Sequence, residues 1–311
     1  MKNYISYIIF RLFQLIVSAL PFRLLYIFSE VCYFIIYKIL KYRIKTVHKN
    51  LKDAFPYKSE KDLKTITIRY YKNLCDVFLE SLKGYSSKPD TLHKRYKCSN
   101  PELLNMYLNN NQDVIIAMNH YANWEWGTQV AGSVFKHQVV SFYKPLSNKY
   151  INRFILQKRT KNRMEMASIY DSRSIFRLYQ DKPKAYFMVG DQSPGRQKKA
   201  VWVKFLNQET ACIRGIEGYS RLFGLPVFLA NVQRIKRGFY TITLELLCES
   251  PGQTSEGEIT SLYMHKLESI IQTKPEDWLW SHKRWKMKHP RSTGSTPQKS
   301  LDVSGGFNNK L

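Results

Sequence analysis

A histidine and a glutamate close together in the chain are the residues best suited to chemistry. In the stretch "MNHYANWEWG", residues 118–127, His120 follows an apolar run and Glu125 comes five positions later. A neutral imidazole can take a proton from a hydroxyl group, and a carboxylate bound to one ring nitrogen fixes the tautomer that leaves the other free. The pair predicts general base catalysis on a hydroxyl group that belongs to the substrate.

A structural interpretation of the same two residues competes with the catalytic one. His120 could satisfy a carbonyl group of a turn, and Glu125 could interact with the N-terminus of a helix. The His-x4-Glu spacing is short and arises often by chance. Spacing alone favours the structural interpretation, so the decision depends on the rest of the chain.

Two elements must position the pair. The run "DVIIAM" at 113–118 predicts a buried strand, and "ANWEWGTQVAG" at 122–132 predicts the beginning of a helix, so His120 falls in the turn between them. In α/β proteins, sites are built at the carboxyl ends of strands. Because Glu125 falls in the first turn or so of the helix, we expect its side chain to turn back and accept a hydrogen bond from the imidazole.

Short apolar runs that alternate with helix-like stretches predict an α/β fold with a mixed sheet flanked by helices. The runs lie at 113–118, 139–143, 185–189, 227–232 and 240–247. A helix is predicted to begin near Ser59, which stands three residues before Asp62 as a capping pair. The 311 residues, 44% of them hydrophobic, suffice for one large domain.

The first 40 residues predict a membrane anchor. Residues 4–40 are mostly apolar, and Pro21 divides them into two stretches, each close to the roughly 20 residues that a span needs. Spanning helices and helices that lie in the interface both remain open. The basic run at 38–52 favours a cytoplasmic domain. We therefore predict an anchor over 1–45, a catalytic domain over 46–288 and a disordered tail, poor in apolar residues, over 289–311.

The charge of the chain limits its partners. Lys and Arg number 49 against 24 Asp and Glu, a net charge of +25, which favours anionic lipid headgroups, phosphorylated sugars, an acidic carrier protein or nucleic acid. The cations are scattered and no RNA- or DNA-binding motif is present, so we expect no nucleic-acid partner. The five cysteines lack metal-ligand spacing. We expect no metal, no cofactor and no disulfide framework.

The stretch "NHYANWE" and six further segments, in a fixed order along the chain, resemble one enzyme family. They run from about residue 10 to residue 288, and together they resemble the lipid A biosynthesis acyltransferases, the lauroyl/myristoyl transferase group of the lysophospholipid acyltransferase superfamily. Besides "NHYANWE", the segments are "KNLKDAFP" at 49–56, "FLESLK" at 78–83, "SFYKPLSNKYINRFILQKR" at 141–159, "VGDQSPG" at 189–195, "FLN" at 205–207 and "WLWSHKRWK" at 278–286.

The resemblance implies a reaction and a set of roles. The reaction would move a fatty acyl chain from an acyl thioester, carried by acyl carrier protein or by coenzyme A, to a hydroxyl of a phosphorylated lipid A precursor at the cytoplasmic face of the inner membrane. His120 would be the general base and Glu125 its orienting acid. The implied substrate-binding residues are Arg159, which could bind phosphate or pair with the carboxylate of Asp191, and also Asp191, Gln192 and Asn123.

Two other functions remain open from the sequence. A glycerolipid or aminolipid O-acyltransferase would use the same base on another acceptor. A basic protein without catalytic activity could bind a membrane surface or nucleic acid. The tryptophans of "WLWSHKRWK" also have a structural interpretation, in which they pack a final helix against the sheet or lie at a water–lipid boundary.

Overall fold

The computed structural model describes residues 1–177, 182–197 and 200–289. These form a mixed α/β structure in which helices flank a seven-stranded sheet, as the sequence predicts. The predicted tail over 289–311 lies outside the described residues except for its first position. The predicted division between an anchor and a catalytic domain stays a prediction.

The helices lie mainly in the N-terminal third and between the strands. They are α1 (Lys2–Ala19), α2 (Phe22–Tyr33), α3 (Ile44–Ala54), α4 (Glu60–Gly84), α5 (Pro89–His93), α6 (Asn105–Asn109), α7 (Trp124–Val134), α8 (Lys149–Arg159), α9 (Ser172–Arg177), α10 (Gly215–Phe223) and α11 (Glu258–Thr273). A π-helical turn, Phe34–Ile39, continues α2.

The strands are β1 (Tyr96–Cys98), β2 (Val114–Met118), β3 (Gln138–Tyr143), β4 (Met164–Ser168), β5 (Lys184–Val189), β6 (Val201–Phe205), β7 (Gln208–Cys212), β8 (Val227–Lys236) and β9 (Phe239–Cys248). The large sheet has the order β1-β9-β8-β2-β5-β3-β4, and β6 pairs with β7 in a separate ribbon. Strands β8, β2, β5, β3 and β4 are mutually parallel, whereas β9 runs antiparallel to β8.

All five predicted strands are confirmed, as β2, β3, β5, β8 and β9. All five residues of β2 are in the core, whereas β9 alternates between buried and more exposed residues. Sequence analysis missed β1, β4, β6 and β7, which are three to five residues long and carry polar residues within them, as in "MEMAS" and "QETAC". Short strands of this kind depend on pairing with neighbours rather than on their own hydrophobicity.

Helix α4 begins as predicted and supports the N-terminal helices. The Ser59 hydroxyl accepts a hydrogen bond from the backbone N–H of Asp62, and the acidic residues of the first turn complement the helix dipole. At the other end, Lys83 donates to the carbonyls of Ser18 and Leu20. Helices α1 and α2 thus pack on α4 over a small second core.

The outer faces of α1 and α2 are apolar and exposed. The exposed residues include Ile5, Ile9, Leu12 and Ile16 of α1 and Leu24, Ile27 and Val31 of α2. No helix within residues 1–177, 182–197 and 200–289 combines the length and the apolar character that crossing a bilayer requires.

Candidate active site

The site lies where two neighbouring parallel strands end. His120 follows β2 and Asp191 follows β5, and the register pairs Met118 with Val189 at the carboxyl ends of these strands. Because both strands point the same way, the loops after them emerge at the same edge of the sheet. The sequence predicts this arrangement, because Asp191 ends the apolar run "AYFMVGD" and should lie at the same sheet edge as His120. The structure confirms it.

His120 is hydrogen-bonded to Asp191. The imidazole Nδ1 lies 2.7 Å from Oδ1 of Asp191, and the backbone N–H of His120 donates to Oδ2 over 2.9 Å. The carboxylate is 2% exposed, whereas the imidazole is 21% exposed. A buried carboxylate that accepts from Nδ1–H leaves Nε2 as the ring nitrogen with a free lone pair.

Three hydrogen-bond donors hold the carboxylate of Asp191 in place. Besides the two bonds from His120, its Oδ2 accepts a hydrogen bond of 2.9 Å from the indole Nε1–H of Trp278. Burial alone would raise the pKa of Asp191, but the interaction with His120 and the hydrogen bonds from His120 and Trp278 lower it below its usual value. Asp191 therefore stays ionised beside the imidazole.

The predicted hydrogen bond between His120 and Glu125 is wrong. Glu125 does fall in the first turn of α7, as expected, but its carboxylate points to other partners. Nε and Nη2 of Arg159 donate to its two oxygens over 2.9 and 2.6 Å, and the Tyr85 hydroxyl donates to Oε1 over 3.0 Å. Glu125 is thus the partner of an arginine.

Packing between helices explains this difference. Arg159 ends α8, Tyr85 directly follows α4, and Glu125 begins α7, so three elements distant in the chain meet at one carboxylate. The planar guanidinium matches a carboxylate through two parallel bonds, which outcompetes a single bond to an imidazole. Burial alone would lower the pKa of Arg159, but Glu125 and Tyr85 together raise it. The predicted pairing of Arg159 with Asp191 is likewise wrong.

Asn123 lies inside the protein, which contradicts the predicted substrate contact. Its side chain is 0% exposed. Oδ1 accepts from the backbone N–H of Trp126 over 2.9 Å, and Nδ2 donates to Oε2 of Glu80 over 2.8 Å. Asn123 therefore caps α7 and ties its first turn to α4. This cap helps to fix the position of the loop that carries His120.

Glu80 connects the N-terminal helices to the same loop. Besides Asn123, its carboxylate accepts hydrogen bonds from the hydroxyls of Tyr26 and Tyr240 over 2.9 and 2.6 Å. Burial raises the pKa of Glu80. The residue is the glutamate of "FLESLK", and its position shows that this motif holds α2, β9 and the start of α7 together.

Gln192 lies at the open side of the imidazole. Its Nε2 is 3.2 Å from Nε2 of His120, so the amide donates to the lone pair that Asp191 leaves free. The sequence prediction that Gln192 belongs to the site agrees with this position. A hydroxyl group that approached His120 would meet the same lone pair and could exchange places with the amide.

The closing tryptophan segment supports the site without forming the final helix that one interpretation predicted. Residues 278–286 are irregular, and Trp278 and Trp280 are buried. An antiparallel bridge joins Tyr121 to Trp278, and the N–H of Leu279 donates to the His120 carbonyl over 3.2 Å. Trp278 belongs to the site, although the sequence analysis gave this tryptophan only a structural role. The sequence offered one indication of its role, because the N–H of a buried indole needs a hydrogen-bond acceptor.

The turn beside His120 has an unusual backbone. Ala122 has φ of 51°, a left-handed conformation that non-glycine residues seldom adopt, and its N–H donates to the Asp277 carbonyl over 2.8 Å. Such conformations cost on the order of 1 kcal/mol and persist where surrounding contacts impose them. The bridge to the closing segment therefore fixes the His120 loop in this shape.

His282 and Arg284 lie behind the site. The backbone N–H of Ser193 donates to Nε2 of His282 over 3.2 Å, so this ring is neutral, and burial lowers its pKa to about 4. Arg284 is 1% exposed and donates to the carbonyl of Ala211 and to the sulfur of Cys212. Among the described residues, no group of three or more His, Cys, Asp and Glu side chains is placed to hold a metal ion.

The structure thus places a histidine, held by a buried aspartate and with its second ring nitrogen accessible, at the edge of the sheet of an α/β protein. Residues 1–287 match the family of bacterial lipid A biosynthesis acyltransferases, so the chain belongs to that family. It is similar to the lipid A biosynthesis palmitoleoyltransferase of Escherichia coli (strain K12) and to a lipid A biosynthesis acyltransferase of Shigella flexneri. Each is 23% identical over 250 residues, which cover 80% of both chains. The family resemblance found in the sequence is confirmed, and the chain is an acyltransferase.

Proposed function

We propose that the protein transfers a fatty acyl chain from the thioester of acyl carrier protein to a hydroxyl of a phosphorylated lipid A precursor at the cytoplasmic face of the inner membrane. The observation that carries the proposal is the His120–Asp191 pair at the carboxyl ends of β2 and β5. The family membership gives the class of reaction, and this pair gives the group that can perform the proton transfer.

In the proposed mechanism, His120 acts as general base and then as general acid. Asp191 accepts from Nδ1–H, so Nε2 takes the proton of the acceptor hydroxyl as its oxygen attacks the thioester carbonyl. The tetrahedral intermediate collapses with loss of the thiolate, which receives the proton from Nε2. An ester and a free thiol result. Asp191 stabilises the imidazolium that exists between the two proton transfers.

We assign Arg159 to the binding of an anionic group of the substrate. Glu125 and Tyr85 hold the guanidinium, which is 22% exposed, and a guanidinium has five N–H donors, of which Glu125 uses only two. The remaining donors suit a phosphate oxygen. In this proposal Glu125 positions Arg159, and Asp191 takes the place of Glu125 as the acid that orients His120.

An apolar cleft beside the site is our candidate for the path of the acyl chain. The ring of Trp124 lies 5.3 Å from the imidazole ring of His120, measured between centroids. The same tryptophan lines a narrow and mostly apolar cleft. The other lining residues are Tyr70, Leu74, Val77, Ala122, Trp278 and Leu279, together with the polar residues Asn73, Glu276 and Asp277. Its apolar walls suit methylene groups, each of which gains about 0.8 kcal/mol on burial. The cleft holds only about 10 Å³, so an acyl chain must displace side chains to enter.

We propose that α1 and α2 lie on the membrane with their exposed faces in the lipid. Isoleucines and leucines that are half exposed or more recur along both helices, among them Ile9, Leu12 and Ile16 of α1 and Ile27 of α2. Exposed apolar surface on this scale marks contact with a membrane or a protein. The net charge of +25 favours an anionic leaflet and an acidic carrier protein as partners.

The test compares His120→Ala with wild type in an assay that supplies acyl carrier protein thioester and purified acceptor. We expect the variant to fold and to lose two to four orders of magnitude in rate, because a positioned general base supplies about that factor. His265→Ala, which removes an exposed histidine of α11, is the matched control and should keep the wild-type rate. Mass spectrometry of membrane lipids from cells with and without the protein identifies acceptor and chain length. A glycerolipid or aminolipid product would replace the lipid A precursor in the proposal, and an unchanged rate in His120→Ala would overturn the mechanism.

A further inference from the structure

One cavity lies between α2, α4, the hairpin of β8 and β9 and residues 274–277. It shares Asn73, Glu276 and Asp277 with the cleft that Trp124 lines. Its volume is about 330 Å³, which is many times the roughly 30 Å³ that a water molecule occupies. Neither His120, Asp191, Glu125 nor Arg159 lines it. We refer to it as the hairpin cavity. Its size and position raise the question of which molecule it could bind.

The walls of the hairpin cavity carry an excess of positive charge. Among the described lining residues, six cations face four carboxylates, an excess of two. The carboxylates are Glu30, Asp76, Glu276 and Asp277. The cations are Arg69, Lys72, Arg234, Lys236, Arg237 and Lys274. A concave site with this balance attracts anions, because its walls focus the positive potential.

The carboxylates are already engaged by part of this set. Asp76 pairs with Arg234 and Arg237 at 2.6 Å, and Glu30 pairs with Lys72 at 2.8 Å and with Arg237 at 3.0 Å. These pairs fix the floor of the cavity. Arg69, by contrast, is 64% exposed and reaches Glu276 only at 3.7 Å, and Lys236 lies exposed at the hairpin. These two cations have donors available for an incoming anion.

The rim of the hairpin cavity continues into apolar surface. Ile235, which lines the cavity, is 67% exposed, and Glu30 lies on α2 between the exposed residues Ile27 and Val31. A free anion in water would gain nothing from this surface. A lipid with an anionic headgroup would use both parts, since its phosphate meets the cations while its chains lie along the apolar face of α2.

We propose that the hairpin cavity binds the phosphate monoester headgroup of a membrane lipid at a site separate from His120. The inference goes beyond the proposed function, because it assigns a lipid-binding site whose walls contain neither His120 nor Arg159. Arg69 and Lys236 bind the phosphate, and α2 supplies the surface for the chains. The ion pairs of Asp76 and Glu30 keep the remaining cations in place without neutralising the cavity.

The test measures binding of the purified full chain to vesicles by co-flotation. Phosphatidylcholine vesicles give the contribution of the apolar helices alone, and the same vesicles with added phosphatidic acid give the increment due to a phosphate monoester. We expect R69Q/K236Q to reduce this increment five- to twentyfold, since each cation near an anionic surface contributes about a factor of five. Binding to pure phosphatidylcholine should not change. Thermal melts of each variant show that it is folded.

Two controls separate the cavity from general charge. K97Q/K136Q removes two exposed lysines that do not line the cavity, and it should keep most of the phosphatidic acid increment. Glu276→Gln removes the distant partner of Arg69 from the cavity wall and should strengthen the increment. Equal losses in the two double variants would mean that only diffuse charge acts, and the proposal would be wrong.

Inorganic phosphate distinguishes a lipid from a free anion. At a concentration matched to the lipid phosphate, it should displace the protein from phosphatidic acid vesicles only weakly, because it lacks chains to lie on α2. Complete displacement would identify the cavity as a site for free phosphate and would overturn the lipid assignment. Neither result depends on acyl transfer, so failure here leaves the proposed reaction untouched, and failure of that reaction leaves this site untouched.

Discussion

Two hydrogen-bonded pairs of an acid and a base lie near the carboxyl end of β2, and they differ in what they leave available. In the His120–Asp191 pair the side chain of the acid is 2% exposed and that of the base 21%. Both carboxylate oxygens of Asp191 accept hydrogen bonds, which come from His120 and Trp278. In the Glu125–Arg159 pair the acid is 8% exposed and the guanidinium 22% exposed. The first pair leaves a lone pair free, and the second leaves N–H donors free.

This difference divides the chemistry of the site. A lone pair on Nε2 can take a proton, whereas the free donors of a guanidinium can only bind an anion or a developing negative charge. The acid in each pair acts on its partner by holding it. His120 and Glu125, five positions apart in the sequence, therefore serve two separate units that are each completed by a residue from another part of the chain.

The sharpest way to break this comparison is Asp191→Asn. The amide can present only one acceptor oxygen, so its NH₂ group must face either Nδ1–H of His120 or the donors from the His120 backbone and Trp278. The backbone and indole N–H groups can only donate and therefore take the oxygen, so the NH₂ group faces Nδ1. Nδ1 must then accept, and the ring proton moves to Nε2, which loses its free lone pair. We expect the kcat for acyl transfer to fall by about three orders of magnitude.

Asp113→Asn is the matched control for this measurement. Asp113 stands at the opposite end of the same strands, where it accepts from the backbone N–H of Lys184 and the hydroxyl of Tyr186. Its variant should keep a transfer rate close to that of wild type. If Asp191→Asn and Asp113→Asn lost similar amounts of activity, the special role of Asp191 would have to be given up.

The second pair can be tested as a unit with Glu125→Gln and Arg159→Gln. Each change leaves its partner partly buried without a counter-charge, so we expect each to lower kcat/KM for the phosphorylated acceptor by ten- to a hundredfold. The double variant should lose about as much as either single variant, which a double-mutant cycle would report as a coupling of about 1–3 kcal/mol. Additive losses would show that Glu125 and Arg159 act independently.

The smallest expected effect concerns the stability of the region behind Asp191. Burial lowers the pKa of His282 to about 4, so the unfolded chain, with an ordinary histidine near 6.5, binds more protons than the folded one between these values. Stability should therefore fall as pH is lowered from about 6.5 to 4, by up to about 2 kcal/mol. Thermal melts across this range should show a shallower fall in His282→Asn. An unchanged pH dependence in that variant would assign the effect to other groups.

The strands that carry the site were predictable because their hydrophobic runs are continuous. The sequence "DVIIAM" forms the buried β2, and "AYFMVGD" forms β5 and ends at Asp191. A strand buried on both faces needs such a run whatever surrounds it. The shared edge of His120 and Asp191 followed from the same argument, because adjacent parallel strands bring their carboxyl ends together.

The hydrogen-bond partners of the site residues were much harder to predict than the places of these residues on strands and helices. The short spacing suggested Glu125 for His120, but the bidentate match with Arg159 and the hydroxyl of Tyr85 direct that carboxylate elsewhere. Asn123 looked available for substrate, yet Glu80 and the N–H of Trp126 use its side chain. In both cases the competing partner comes from an element whose place in space cannot be read from the local sequence.

The amino-acid sequence by itself determined the class of fold, the five main strands, His120 as the candidate base and the family, because local hydrophobicity and ordered motifs record these directly. Only the tertiary structure decided which acid holds His120, which residue Arg159 binds, and that α2, α4 and a distant hairpin enclose a basic cavity. The physical reason is that hydrogen bonds and ion pairs depend on distance and direction in space, and packing sets both between residues that are far apart in the chain.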